Sequence, residues 1–114
     1  MAKTLLFDWG NTIMVDFGLP GPMYLWERVG WVQHAEHSLK ILSRSWPCYL
    51  ATNAGLSDKT MVLRALERVG ADRCFSGIFT SADLGFEKPE PEFFQAICDQ
   101  LRVPPSDCIM IGDH

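Results

Sequence analysis

The chain has 114 residues, of which 47% are hydrophobic and 21% charged, a balance that suits one folded domain and excludes a disordered segment. Ten basic residues against 14 acidic ones leave a net charge of −4. The basic residues are scattered from Lys3 to Arg102 rather than clustered, which argues against a nucleic-acid surface.

The first element is an apolar run from Thr4 to Phe7, followed at once by Asp8. It is too short for a signal peptide, and no run in the chain approaches the ~18 apolar residues of a membrane span. Similar unalternating runs lie at Cys48 to Ala51, Gly77 to Thr80 and Cys108 to Ile111. Such runs fit parallel strands covered on both faces. Residues 13–31 are the least regular stretch and read as a small flap or loop insertion. It holds Gly18, Pro20, Gly21 and Pro22, then Tyr24 and Trp26, and either covers a site or simply connects with its aromatics as anchors.

Helical spacing follows from Val32 to Ser43, where Val32, Ala35, Leu39 and Leu42 share a face. A second helix is predicted from Ser57, read as its N-cap, to Val69, with Gly70 as its stop. A third runs from Glu92 to Leu101, with Pro91 at its entrance and Pro104-Pro105 beyond its end. Strand and helix in alternation imply a Rossmann-like, doubly wound α/β sheet with parallel strands. The cysteines at 48, 74, 98 and 108 form no C-x-x-C motif and read as reduced thiols of a cytoplasmic protein. His34 and His37 read as surface residues of the first helix, and Trp26 and Trp31 as loop anchors. Trp9, beside the first acid, is open between pocket and core.

Ligands of open α/β sheets bind outside the carboxyl ends of the strands. The runs end there in Asp8, in Thr52-Asn53, in a segment leading to Lys88, and in Gly112-Asp113. Two carboxylates at 4 Å repel by about 4 kcal/mol at an effective dielectric of 20. A hard divalent cation relieves that repulsion, and Mg²⁺ favours carboxylates together with phosphate oxygens. Lys88 and Thr52 suit the same phosphate, and an aspartate can act as nucleophile. The implied chemistry is metal-assisted phosphoryl transfer on a small phosphorylated metabolite or another phosphoester.

Phe7-Asp8-Trp9-Gly10-Asn11-Thr12, Leu50-Ala51-Thr52-Asn53, Glu87-Lys88-Pro89-Glu90-Pro91 and Ile109-Met110-Ile111-Gly112-Asp113 resemble, in order, the four motifs of the haloacid dehalogenase-like phosphohydrolases. The resemblance implies a nucleophile and Mg²⁺ ligand at Asp8, with the Gly10 carbonyl and Asp113 as further metal ligands. It implies phosphoryl binding by Thr52 and by the Asn53 backbone, and charge neutralisation by Lys88. Two departures stand out. Gly10 occupies the position of the acid–base aspartate of the family's phosphatases, and the fourth motif lacks its later acid because His114 ends the sequence.

The 35 residues from 13 to 47 leave no room for a large cap once a core helix is placed among them. The family core ordinarily adds a further helix and strand after the fourth motif, so the expectation is an incomplete core. Its uncovered strand at Cys108 to Ile111 would be open to pairing with a second copy. Two other readings compete with the enzyme: a phosphate- and Mg²⁺-binding fold with little or no turnover, and a receiver-like phosphoacceptor domain. The second is disfavoured by motif order, because receivers place paired acids on the first strand and the accepting aspartate on the third.

Overall fold

A computed structural model describes residues 3–10, 12–14, 25, 30–53 and 58–112. Four parallel strands, β1 (Thr4–Phe7), β2 (Cys48–Thr52), β3 (Gly77–Thr80) and β4 (Cys108–Ile111), form one sheet in the order β3-β2-β1-β4. β1 is central, with Leu6 opposite Tyr49 on one side and Met110 on the other. The chain winds outward from β1 to β3 and then returns to lay β4 on the opposite flank of β1. The order therefore reverses at β1, and the crevice above that reversal is where a parallel sheet opens a binding site.

Alternation along the strands divides the core into two layers. Leu5, Phe7, Cys48 and Leu50 face one side, where Leu39 of α1 (Ala35–Ser45) and Val62, Ala65 and Leu66 of α2 (Lys59–Val69) cover them. Leu6, Ala51 and Phe79 face the other, against Phe93 and Ile97 of α4 (Pro91–Leu101). Covering on both faces explains why the strands read as unbroken apolar runs. β4 is the thinnest part of this arrangement, with Ile109 and Met110 exposed.

The helix ends differ from the sequence reading. α1 begins at Ala35, not Val32, because His34 takes a left-handed conformation at its N-cap. His34 and His37 thus do not share a helix face, although both are exposed. α2 begins at Lys59, with Asp58 as its cap, the carboxylate accepting from the Met61 N–H at 3.1 Å. Ser57, the sequence candidate for that cap, lies outside the described residues. Gly70 closes α2 at φ 73°, a left-handed turn that glycine adopts without strain. A single-turn helix, α3 (Ser81–Leu84), was not foreseen; Thr80 caps it by accepting from the Asp83 N–H.

Trp31 does anchor its segment: the indole N–H donates to the Val69 carbonyl at 3.0 Å, tying the stretch before α1 to the end of α2. Trp26 and most of the expected flap lie outside the described residues. No described helix is long and apolar enough to cross a membrane.

Candidate active site

Asp8 follows the last residue of β1, and its backbone N–H donates to the Ile111 carbonyl at 2.8 Å, which extends the β1–β4 pairing by one step. That bond fixes where the carboxylate emerges. Asp8 Oδ1 accepts from the Trp9 N–H at 2.9 Å and from Lys88 Nζ at 2.8 Å. The ion pair is largely screened from water, with side-chain exposures of 17% for Lys88 and 15% for Asp8. Two donors on one oxygen orient the carboxylate.

Beyond Asp8 the chain turns sharply: the N–H groups of Thr12, Ile13 and Met14 all point at the Trp9 carbonyl. This turn carries Trp9 into the core, where it is 4% exposed beside Ile13 and Met14. Its indole therefore packs and does not line the cleft.

A cleft of about 660 Å³ opens above the strand ends, lined by Asp8, Gly10, Thr52, Asn53, Lys88, Pro89, Phe94, Met110 and Gly112. Every described residue expected at the site lines it. Asp113 lies outside the described residues, as do Asn11 and Asp16. Clefts of about 600 and 680 Å³ lie elsewhere, beside β3 and between α1 and α2, so size does not select the site. The partly buried ion pair at the topological reversal does.

Three features escaped the sequence reading. Phe94, Pro89 and Met110 give the cleft an apolar wall. Gly112 packs so closely that a Cβ there would stand 3.3 Å from Asp8 Cβ. The side chain of Asn53 is bonded to the backbone of Lys88. Only the last carried a local signal, an amide directly after the strand-ending threonine.

The donors present suit a hard cation. The Asp8 carboxylate and Gly10 border one cleft, and oxygen donors of this kind fit Mg²⁺. The absent side chain at 112 keeps space open beside Asp8 Oδ2. Charge supplies a second argument. Asp8 and Lys88 cancel, so an incoming phosphate dianion would leave the cleft at about −2, which a divalent cation offsets. Among the described residues no group of three or more His, Cys, Asp or Glu forms a metal cluster.

The family model for haloacid dehalogenase-like hydrolases matches residues 32–114, well over half of the chain. The protein belongs to that family. The matched span takes in Thr52, Asn53, Lys88 and Gly112 and begins after Asp8. This haloacid dehalogenase-like hydrolase is 40% identical over 50 residues to N-acylneuraminate-9-phosphatase of Rattus norvegicus, a match covering 41% of this chain and 20% of the relative. Its fold is similar to that of an uncharacterized protein from Listeria monocytogenes serotype 4b, with a TM-score of 0.82 at 21% identity, covering 95% of this chain and 65% of that one. It is also similar to the HAD-hydrolase YfnB from Bacillus subtilis, with a TM-score of 0.74 at 19% identity, covering 99% of this chain and 80% of that one. The curated match thus spans a fifth of its relative's length.

The four cysteines are all free thiols. The Sγ atoms of Cys98 and Cys108 nevertheless stand 3.7 Å apart, joining α4 to β4 at the end of the sheet away from the cleft. Burial, then the bond to Cys98, pushes the Cys108 thiol up to about 11, and burial pushes Cys48 up to about 11.

Proposed function

We propose that the protein is a Mg²⁺-dependent phosphohydrolase that acts on a phosphate monoester through an aspartyl-phosphate on Asp8. The observation that carries this reading is the contact of 2.8 Å between Lys88 Nζ and Asp8 Oδ1, screened from water at the sheet's reversal point. A phosphatase among the relatives supports a phosphate ester as substrate. The YfnB structure was obtained bound to magnesium, which supports that ion as the cofactor.

In the proposed first step a carboxylate oxygen of Asp8 attacks phosphorus while the bond from phosphorus to the leaving oxygen breaks. Lys88 keeps its charge beside the transferring group, where the equatorial oxygens of a loose transition state carry negative charge. Thr52 and the Asn53 backbone hold those oxygens. A cation held by the Asp8 carboxylate, the Gly10 carbonyl and Asp113 would supply further neutralisation of the phosphoryl charge. In the second step water attacks phosphorus, the bond to Asp8 breaks, and phosphate leaves.

Gly10 favours a second reading of the rates. Among the described residues lining the cleft, Asp8 is the one carboxylate. No second carboxylate among the described residues of the cleft is placed to protonate the leaving oxygen or to take a proton from the attacking water. General acid–base help is worth typically 10²–10⁴-fold, so both formation and hydrolysis of the phosphoenzyme are slowed. The protein then behaves as a slow phosphatase.

A panel of aryl phosphates and phosphorylated metabolites tests the proposal, run with Mg²⁺, with EDTA and with Asp8→Asn. Release of phosphate that needs both the metal and Asp8 is the expected result. Activity indifferent to EDTA and to the substitution refutes it.

A further inference from the structure

Lys88 can act at the cleft only if its ammonium is held there, yet it stands in the connection between α3 and α4, outside any regular element. A lysine side chain has four rotatable bonds, so its charge wanders unless its own backbone is fixed. The connection contributes little to that fixing. Its internal bonds are Glu90 N–H to the Glu87 carbonyl at 2.8 Å and Glu87 N–H to the Glu90 carboxylate at 3.1 Å, both on the solvent side.

The side chain of Asn53 makes the tie to the sheet. Asn53 Oδ1 accepts the Lys88 N–H at 2.8 Å, and Asn53 Nδ2 donates to the Lys88 carbonyl at 2.9 Å. Both polar ends of one planar amide thus grip both polar groups of one residue's backbone, as a neighbouring strand would. One such bond allows the loop to pivot, whereas two restrain both its position and its rotation. Asn53 itself is anchored because it directly follows Thr52, the buried last residue of β2. Past the next stretch the chain is fastened again, since the Lys59 N–H donates to Asp83 Oδ2 at 2.8 Å, and Thr80 Oγ1 donates to the same oxygen at 2.7 Å. Asn53 after β2 and Lys59 at the start of α2 are therefore each joined to the segment after β3.

We propose that Asn53 is a positioning residue: its side-chain amide clamps the Lys88 backbone so that the ammonium stays on the Asp8 carboxylate, and it does not itself grip substrate. The proposal rests on the phosphoryl-transfer reading for its kinetic consequence, while the clamp is a property of the folded chain. One Nδ2 hydrogen is engaged with the Lys88 carbonyl and Oδ1 with the Lys88 N–H, so the amide plane is set by the Lys88 backbone rather than free to turn toward a substrate.

The test uses the full chain with Asn53→Ala, Asn53→Asp, Lys88→Met and the double variant Asn53→Ala/Lys88→Met. Amide hydrogen exchange followed by NMR reads the clamp without any need for activity. The Lys88 amide should exchange faster in Asn53→Ala while the β1 and β2 amides keep their protection, which separates a lost clamp from a lost fold. Steady-state kinetics on an aryl phosphate with Mg²⁺ reads the consequence. We expect kcat to fall about 10- to 100-fold in Asn53→Ala with KM changed less than about threefold, the scale expected of a displaced reacting group. Asn53→Asp, which keeps the acceptor and loses the donor, should fall between wild type and Asn53→Ala. In the Lys88→Met background, Asn53→Ala should cost less than about twofold more, because both substitutions remove one function.

Three results would overturn the proposal: unchanged exchange at Lys88, fully multiplicative effects of the two substitutions, or a raised KM at constant kcat. A wild-type protein without phosphatase activity refutes the reaction instead, and the exchange result then decides the clamp by itself.

Discussion

Replacing either partner of the Asp8–Lys88 pair should destabilise the fold, and the two effects should be strongly coupled. At 2.8 Å and an effective dielectric of 20 the attraction is about 6 kcal/mol before desolvation. Each side chain is about five-sixths removed from water (17% and 15% exposed), so much of that attraction is offset by lost hydration. Fully exposed pairs are worth about 0–1 kcal/mol, and this pair should exceed that range, at about 1–3 kcal/mol of coupling. Asp8→Asn keeps an acceptor for the Trp9 N–H, and Lys88→Met keeps most of the side-chain volume, so both report on charge more than on shape. Urea denaturation of wild type, the two single variants and the double variant yields the coupling as the departure from additivity. A coupling below about 0.5 kcal/mol would make the contact an incidental surface pair.

Further outcomes follow from the same structure. Gly112→Ala pushes a Cβ to 3.3 Å from Asp8 Cβ, so phosphatase activity should fall several-fold while urea stability changes by about 1 kcal/mol or less. With no second carboxylate among the described cleft residues to protonate the leaving oxygen, kcat/KM should depend steeply on leaving-group acidity, with p-nitrophenyl phosphate far ahead of alkyl phosphates. Trp31→Phe removes the bond to the Val69 carbonyl and should cost about 1–2 kcal/mol, read by urea denaturation. Cys48 and Cys108 bind their protons more tightly in the folded state, from an ordinary value of 9.0 up to about 11. Between those values the unfolded chain has released protons that the folded one retains, so stability should fall as pH rises from about 9 to 11. Replacing both cysteines by alanine should flatten that slope in a pH series of thermal melts.

The central elements were legible because burial on both faces writes an unambiguous pattern. Thr4–Phe7 and Cys108–Ile111 were bounded correctly, since each apolar run ends where the chain meets the polar rim at Asp8 or Gly112. Helix starts were less legible. Val32 carries the spacing of α1, yet the helix begins at Ala35 because His34 adopts a backbone turn that no periodicity reports. Ser57 and Asp58 are both ordinary capping residues, and the choice between them depends on which side chain reaches the Met61 N–H.

The site was legible as residue types at strand ends, because parallel topology alone brings Asp8, Thr52 and Gly112 to one rim. What stayed hidden were contacts between segments far apart in sequence. The Asn53 clamp spans 35 positions, and the Cys98–Cys108 approach depends on how α4 lies across β4. The same limit governed Trp9, which directly follows Asp8 in sequence but whose ring follows the turn into the core.

The most direct test of the account is to trap the phosphoenzyme. Wild-type protein is mixed with Mg²⁺ and an aryl phosphate, quenched in acid, digested and examined by mass spectrometry. One phosphoryl group is expected on the peptide containing Asp8, removable by hydroxylamine and absent from Asp8→Asn. A phosphoryl group on another residue, or phosphate release that persists in Asp8→Asn, would contradict it.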